Sequence, residues 1–407
     1  MLALGSTLPA GCTRDSKEFI ESVLQPRENI ESIDPVQEAE LDVAVDAFMA
    51  ASARGDVEGL ADMVDFDALL TVAVPKISLG EPEVRGMLRG LRRASKQFGF
   101  VHDWASWSGE HQLKVLGYRV QDAESWATIR LITPDGAFDH LKLRFARVDG
   151  GQPKIVDFET LSTGHRHSES LAPLATPLVR DLSRKGFDRL TEPESPLMKH
   201  AGTLRRLGPE VAAGNYEGWT AIWKTLPPEI RDGENLLLTR VRLAASQSEE
   251  VYGEAIEALR QAYPDSPASL LASVDYHAMK EDYHAAAEAM AKVRATAMPD
   301  PYMKVLEGTM RVGAGEYDEA VLLLKGGLES EAQFEDGHWL LITAQLAQED
   351  HAGVRESLLN MARQFEGLEF ELEGEEVYAD FVASPEYPRF LAEMKALEAE
   401  RAAHEAQ

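Results

Sequence analysis

Two aspartates stand where a carboxylate could do acid–base chemistry. Asp139 has the same strand parity as Leu141, Leu143 and Phe145, and Asp157 lies between Val156 and Phe158. A carboxyl turned inward among apolar residues is held partly protonated and can serve as a general base. The competing arrangement is a strand end, where the carboxylate is solvated or bonded to backbone. His165-Arg166-His167 sets two imidazoles two residues apart, with a cation between them and no carboxylate pair nearby. That spacing reads as a solvated linker rather than a metal site. Cys12 is the single cysteine, which excludes an intrachain disulfide and any Cys-based metal site. The chain has no Gly-rich phosphate loop, no HExxH and no nucleophile elbow, so no cofactor is expected.

The 407 residues exceed one ordinary domain, and the composition, 44% hydrophobic and 27% charged, is that of a folded protein. The formal net charge of −28 argues against nucleic-acid binding, which needs clustered Lys and Arg. The charge is uneven: residues 1–200 carry 23 basic and 31 acidic side chains, residues 201–407 carry 18 and 38. The second half therefore favours a basic partner. No apolar run reaches the length of a membrane-spanning helix.

Residues 36–70 hold two helical patterns, Leu41, Val45, Phe48 and Met49, then Leu60, Met63 and Val64, separated by Arg54-Gly55-Asp56. A third helix is expected over 81–97. The period then changes to two, giving strands at 113–120, 125–132, 138–148 and 154–161, with turns at Pro134-Asp135-Gly136 and Asp149-Gly150-Gly151. Strands in one block after helices predict an antiparallel sheet and an α+β domain. This order, with the hairpin "AFMAASARGDVEGLADMVD" at 47–65, resembles the cone-shaped fold of the nuclear-transport-factor and polyketide-cyclase-like group over residues 36–163. The resemblance implies a cone that hosts enzymes and inert binding modules alike.

The second half repeats itself. "EDYHAAAEAM" around Tyr283, "GEYDEAVLLL" around Tyr317 and "EDHAGVRESL" around His351 follow one another at intervals of 34 residues. Less regular copies surround Tyr216 and Tyr252. The segment 200–365 resembles tetratricopeptide repeats, in which two amphipathic helices form each hairpin and neighbouring hairpins stack. Ala286 and Ala320 are small where helices cross, and Gly308 holds the family's small position. The resemblance implies an all-α solenoid whose first helices line a groove. By position this groove takes Asp275, Tyr302, Val305, Thr309, Asp336, Trp339 and Thr343. It lacks the Lys and Asn pattern that clamps a partner's terminal carboxylate.

The resulting organisation is an extended amino terminus (1–35), the cone-like α+β domain (36–163), a linker with one helix (164–199), the repeats (200–365) and capping helices (366–407). The function expected is a non-enzymatic protein–protein interaction scaffold. The alternative is a small-molecule-binding or isomerase/cyclase-like enzyme that uses the cone. Leu8-Pro9-Ala10-Gly11-Cys12 resembles the lipobox of bacterial lipoproteins, which implies lipidation of Cys12 and a place in the cell envelope. The other reading is a cytoplasmic protein with a chance thiol.

Overall fold

The computed structural model describes residues 30–172 and 199–405, apart from residues 75–76, 78, 80–81, 98, 108, 110 and 135. Cys12 and the helix expected near 178–190 lie outside the described residues. The chain divides into two compact units, residues 1–160 with 165–231, and residues 232–407 with 161–164.

The first unit is α+β. Strand β1 (Ile33–Pro35) precedes five helices: α1 (Glu38–Ala53), α2 (Val57–Met63), α3 (Phe66–Ala73), α4 (Pro82–Gln97) and α5 (Phe100–Ser106). Four strands follow: β2 (Gln112–Gln121), β3 (Glu124–Ile132), β4 (Phe138–Val148) and β5 (Pro153–Thr160). All pairings are antiparallel. β4 is central: β3 runs along one edge, β1 continues that edge at Ala146–Val148, and β5 holds the other edge. Register shifts at Val115/Gly117 and Arg144/Phe145 curl the sheet. The period of two does its expected work. Leu141, Leu143 and Phe145 of β4 join Ile129, Ile155 and Phe158 in one core with Leu41, Val45, Phe48, Leu60 and Trp104 from the helices. Asp149 and Gly150, with φ of 51° and 71°, turn β4 into β5. Asp149 also accepts from the backbone of Glu31 and Ser32, at 2.8 and 3.0 Å, which fixes the strand before α1.

Three features depart from the sequence expectation. The loose segment through Pro35 contributes β1. Helices α3 and α5 add to the three expected helices. In α3 nearly every residue is buried. Residues 165–172 are not a solvated linker: Arg166 bridges to Glu159 of β5, and a helical turn starts at His167.

All-α structure follows. In the first unit α6 (Ala201–Ala212) packs on α7 (Tyr216–Trp223), and α8 (Pro228–Arg231) ends it. The second unit contains α9 (Glu234–Ala244), α10 (Glu249–Ala262), α11 (Pro267–Met279), α12 (Tyr283–Thr296), α13 (Pro301–Gly313), α14 (Tyr317–Leu328), α15 (Glu335–Ala347), α16 (His351–Gln364), α17 (Ala379–Ala383) and α18 (Glu386–Glu405). Each helix from α9 to α15 packs on its successor, and α18 closes on α16. This is a helical-repeat solenoid. Helices α11, α13 and α15 begin at intervals of 34 residues, and so do α12, α14 and α16. Asp282 and Asp350 cap equivalent helices, accepting from Ala285 and Gly353 at 3.2 and 2.9 Å. Glu281, Gly315 and Glu349 take the left-handed turn position in successive hairpins. Ala286 and Ala320 are fully buried.

One alignment changes. α10 begins at Glu249, which stands 34 residues before Tyr283, so Tyr252 is the counterpart of Ala286 rather than of Tyr283. The aromatic type of Tyr252 misleads, because the repeat is anchored by the cap and turn residues.

Candidate functional site

The concave face of the sheet is filled by the protein's own aromatic side chains. Phe48 and Trp104 meet edge to face at 5.4 Å between ring centroids, and Trp104 meets Phe158 at 5.2 Å. Phe100 lies 4.5 Å from Phe158, and His167 stacks on Phe158 at 4.4 Å with ring planes 17° apart. Among the described residues the buried Nε2 atom of His167 has no hydrogen-bond partner. Burial first, and the charge of His165 second, push its pKa down to about 4. His167 is therefore a neutral aromatic wall in this cluster.

Its neighbours in sequence are used the same way. Arg166 makes a two-pronged contact with Glu124, at 3.2 and 3.0 Å, and its guanidinium lies 4.9 Å from the ring centroid of Trp126. Trp126 Nε1 and Arg144 also reach Glu124, at 3.0 and 3.3 Å. Burial pulls the Glu124 carboxyl upward, but these three donors outweigh it and hold the carboxyl below its usual range. The His-Arg-His run thus fastens the chain after β5 onto the sheet.

The two candidate carboxylates do not converge. Asp139 is half-buried opposite Leu131 at the start of β4, and its Oδ1 accepts from the His140 amide at 2.8 Å. Asp157 is fully buried and pairs in register with Arg144. The register places them five residues apart along β4, about 17 Å at the rise of an extended strand. Asp157 Oδ1 accepts from the amides of Phe158 and Ser168 at 2.9 and 3.0 Å, and Oδ2 accepts from Ser168 Oγ at 2.6 Å. Burial raises its carboxyl, and the Ser168 and Phe158 bonds offset part of that rise. The geometry is that of a carboxylate holding a helical turn to a strand.

The positions assigned to the groove separate into three groups. Tyr302 and Val305 are core residues, 6% and 5% exposed. Tyr302 packs on Phe334 at 4.6 Å, and Val305 lies against Gly327 and Gly337. They offer no surface, because the next hairpin stacks over them. Thr309 and Trp339 are half-buried. The Thr309 hydroxyl donates to the Val305 carbonyl at 2.9 Å, while Trp339 packs on Phe370 and donates to Glu335 at 3.2 Å. Asp275, Asp336 and Thr343 are exposed.

Asp275 is unusual among these. It is open to water by area, yet burial raises its carboxyl, and among the described residues no ion pair holds it. The carboxylate therefore meets solvent while protein flanks it. Tyr252 of α10 stands near it, pushed up to about 12 by burial and then by the Asp275 charge. Sequence reasoning missed Tyr252 as a neighbour because of the three-residue slip in register. Between α10 and α11 lies an open recess of about 600 Å³, lined by Glu249, Glu250, Glu254, Glu257, Tyr276 and Lys280. Tyr276 fills the space over Gly253, and Lys280 pairs with Glu249 at 2.5 Å. Among the described residues no helix is long and apolar enough to cross a membrane. Compared with known proteins, the chain matches no family model, no curated protein and no solved structure.

Proposed function

We propose that this protein is a non-enzymatic interaction scaffold of the tetratricopeptide kind, with the first helices of its hairpins presented to a protein or peptide partner of basic character. Asp275 carries the reading. Its carboxylate is exposed, flanked by protein that raises it, and without a cation among the described residues, so it is stabilised when a partner brings Lys or Arg to it. The −20 balance of residues 201–407 and the four glutamates of the recess beside α11 support the same sign of partner. The 34-residue spacing of helix starts supports the repeat assignment.

The enzyme reading through the cone is less well supported. Its two carboxylates lie apart, one of them is occupied by Ser168, and aromatic rings fill the space a substrate would need. The test is selection of peptides on the full chain from a random display library. Selected peptides are expected to be enriched in Lys and Arg, and Asp275→Arg is expected to abolish the enrichment. Selection of acidic or charge-neutral peptides, unaffected by Asp275→Arg, would refute the reading.

A further inference from the structure

Helix α4 is a basic element in an acidic chain. Its 16 residues contain Arg85, Arg89, Arg92, Arg93 and Lys96 against the single acid Glu83. Arg92 is engaged by Asp67 at 2.7 Å and Lys96 by Glu58. Arg85, Arg89 and Arg93 recur every fourth residue on one face, and among the described residues none of them has an ion pair. Arg89 and Arg93 are exposed, and beside them lie two exposed glycines, Gly86 and Gly90. A Cβ at Gly90 would meet nothing within 4 Å, and one at Gly86 would meet only the tip of Arg89, at 4.0 Å. Glycines weaken an exposed helix, and among the described residues these two serve no packing. They leave a shallow strip where another backbone can approach closely.

Helix α1 carries the complement. Ala39, Val43, Ala47 and Ala50 form an exposed apolar stripe, with Val43 69% exposed, and Asp42 and Asp46 flank it one turn apart. Tyr118 donates to Asp42 at 2.6 Å. Helix α5 packs against both α1 and α4, so the two helices belong to one helical layer.

We propose that two copies of this chain pair through this layer, α1 of each lying antiparallel on α4 of the other. Charge selects the arrangement. α4 on α4 opposes arginines, and α1 on α1 opposes aspartates; only the crossed pairing brings unlike charges together. Each helix bears its charges on the same side of its apolar strip, so the antiparallel sense sets Asp46 and Asp42 against the arginines while Val43 and Ala47 enter the Gly86–Gly90 strip. A twofold axis makes every contact twice. The proposal is independent of the groove.

The test is sedimentation of the full chain over a hundredfold range of concentration. The wild type is expected at twice the chain mass. Arg89→Glu, Asp46→Arg and Gly90→Leu are each expected to weaken the dimer by about tenfold or more, with unchanged circular dichroism. Combining Arg89→Glu with Asp46→Arg is expected to restore it. A wild type that stays monomeric overturns the proposal. So does a dimer indifferent to the three single changes, or a double reversal that fails to re-form it.

Discussion

His167 shows how far one residue can depart from its type. Among the described residues its buried Nε2 has no hydrogen-bond partner, and its pKa is pushed down to about 4 from 6.5. The unfolded chain therefore takes up a proton that the folded chain refuses. Stability is full above the unfolded pKa and falls as pH drops from about 6.5 through 4, by about 3 to 4 kcal/mol at most. His167→Phe keeps the stack on Phe158 and removes the proton. Thermal melts at pH 7.5 and 4.5 are expected to show a smaller acid loss in the variant; an equal loss in both would mean that His167 is not a buried neutral group. The left-handed turns give a second residue-scale prediction. Glu281 and Glu349 have φ of 55° and 56°, where the equivalent residue is Gly315. Glu349→Gly is expected to raise stability by about 0.5 to 1 kcal/mol, read as a higher urea midpoint. A lowered midpoint would mean that the turn is not strained. At this scale the sequence was only partly legible. Asp139, Asp157 and the His-Arg-His run stand out by residue type, but whether a carboxylate is free or tied to Ser168 depends on a segment that returns to the sheet after β5. Nothing local to Asp157 encodes that return.

At the scale of elements, glycines report where helices touch. A Cβ at Gly327 would lie 2.7 Å from Val305 Cγ2 and 2.9 Å from the Pro301 carbonyl oxygen, and the backbone there cannot yield. At Gly308 the closest obstacle is Cγ of the buried Leu324, at 2.7 Å, a side chain that can repack at lower cost than backbone. Gly327→Ala is accordingly expected to cost about 2 to 3 kcal/mol and Gly308→Ala about 1 kcal/mol, measured as urea midpoints. The opposite order would contradict the packing of α13 on α14. Elements were the most legible level. β4 announces itself by strict alternation, and the hairpins by a 34-residue period that the helix starts reproduce. What escaped detection had separate causes. Helix α3 is buried on nearly all sides, β1 is three residues long, and Tyr252 drew the alignment three residues out of register by being aromatic.

At the scale of the whole molecule, the chain joins an α+β unit filled by its own side chains to a strongly acidic helical solenoid. The central claim is that the solenoid binds a basic partner through the wall that carries Asp275. Calorimetric titration of a selected Lys/Arg-rich peptide into the full chain tests it most directly. Asp275→Arg is expected to weaken binding at least about tenfold, while Asp139→Asn leaves it unchanged. Equal affinity for the wild type and Asp275→Arg, or a loss caused by Asp139→Asn in a folded protein, would contradict it.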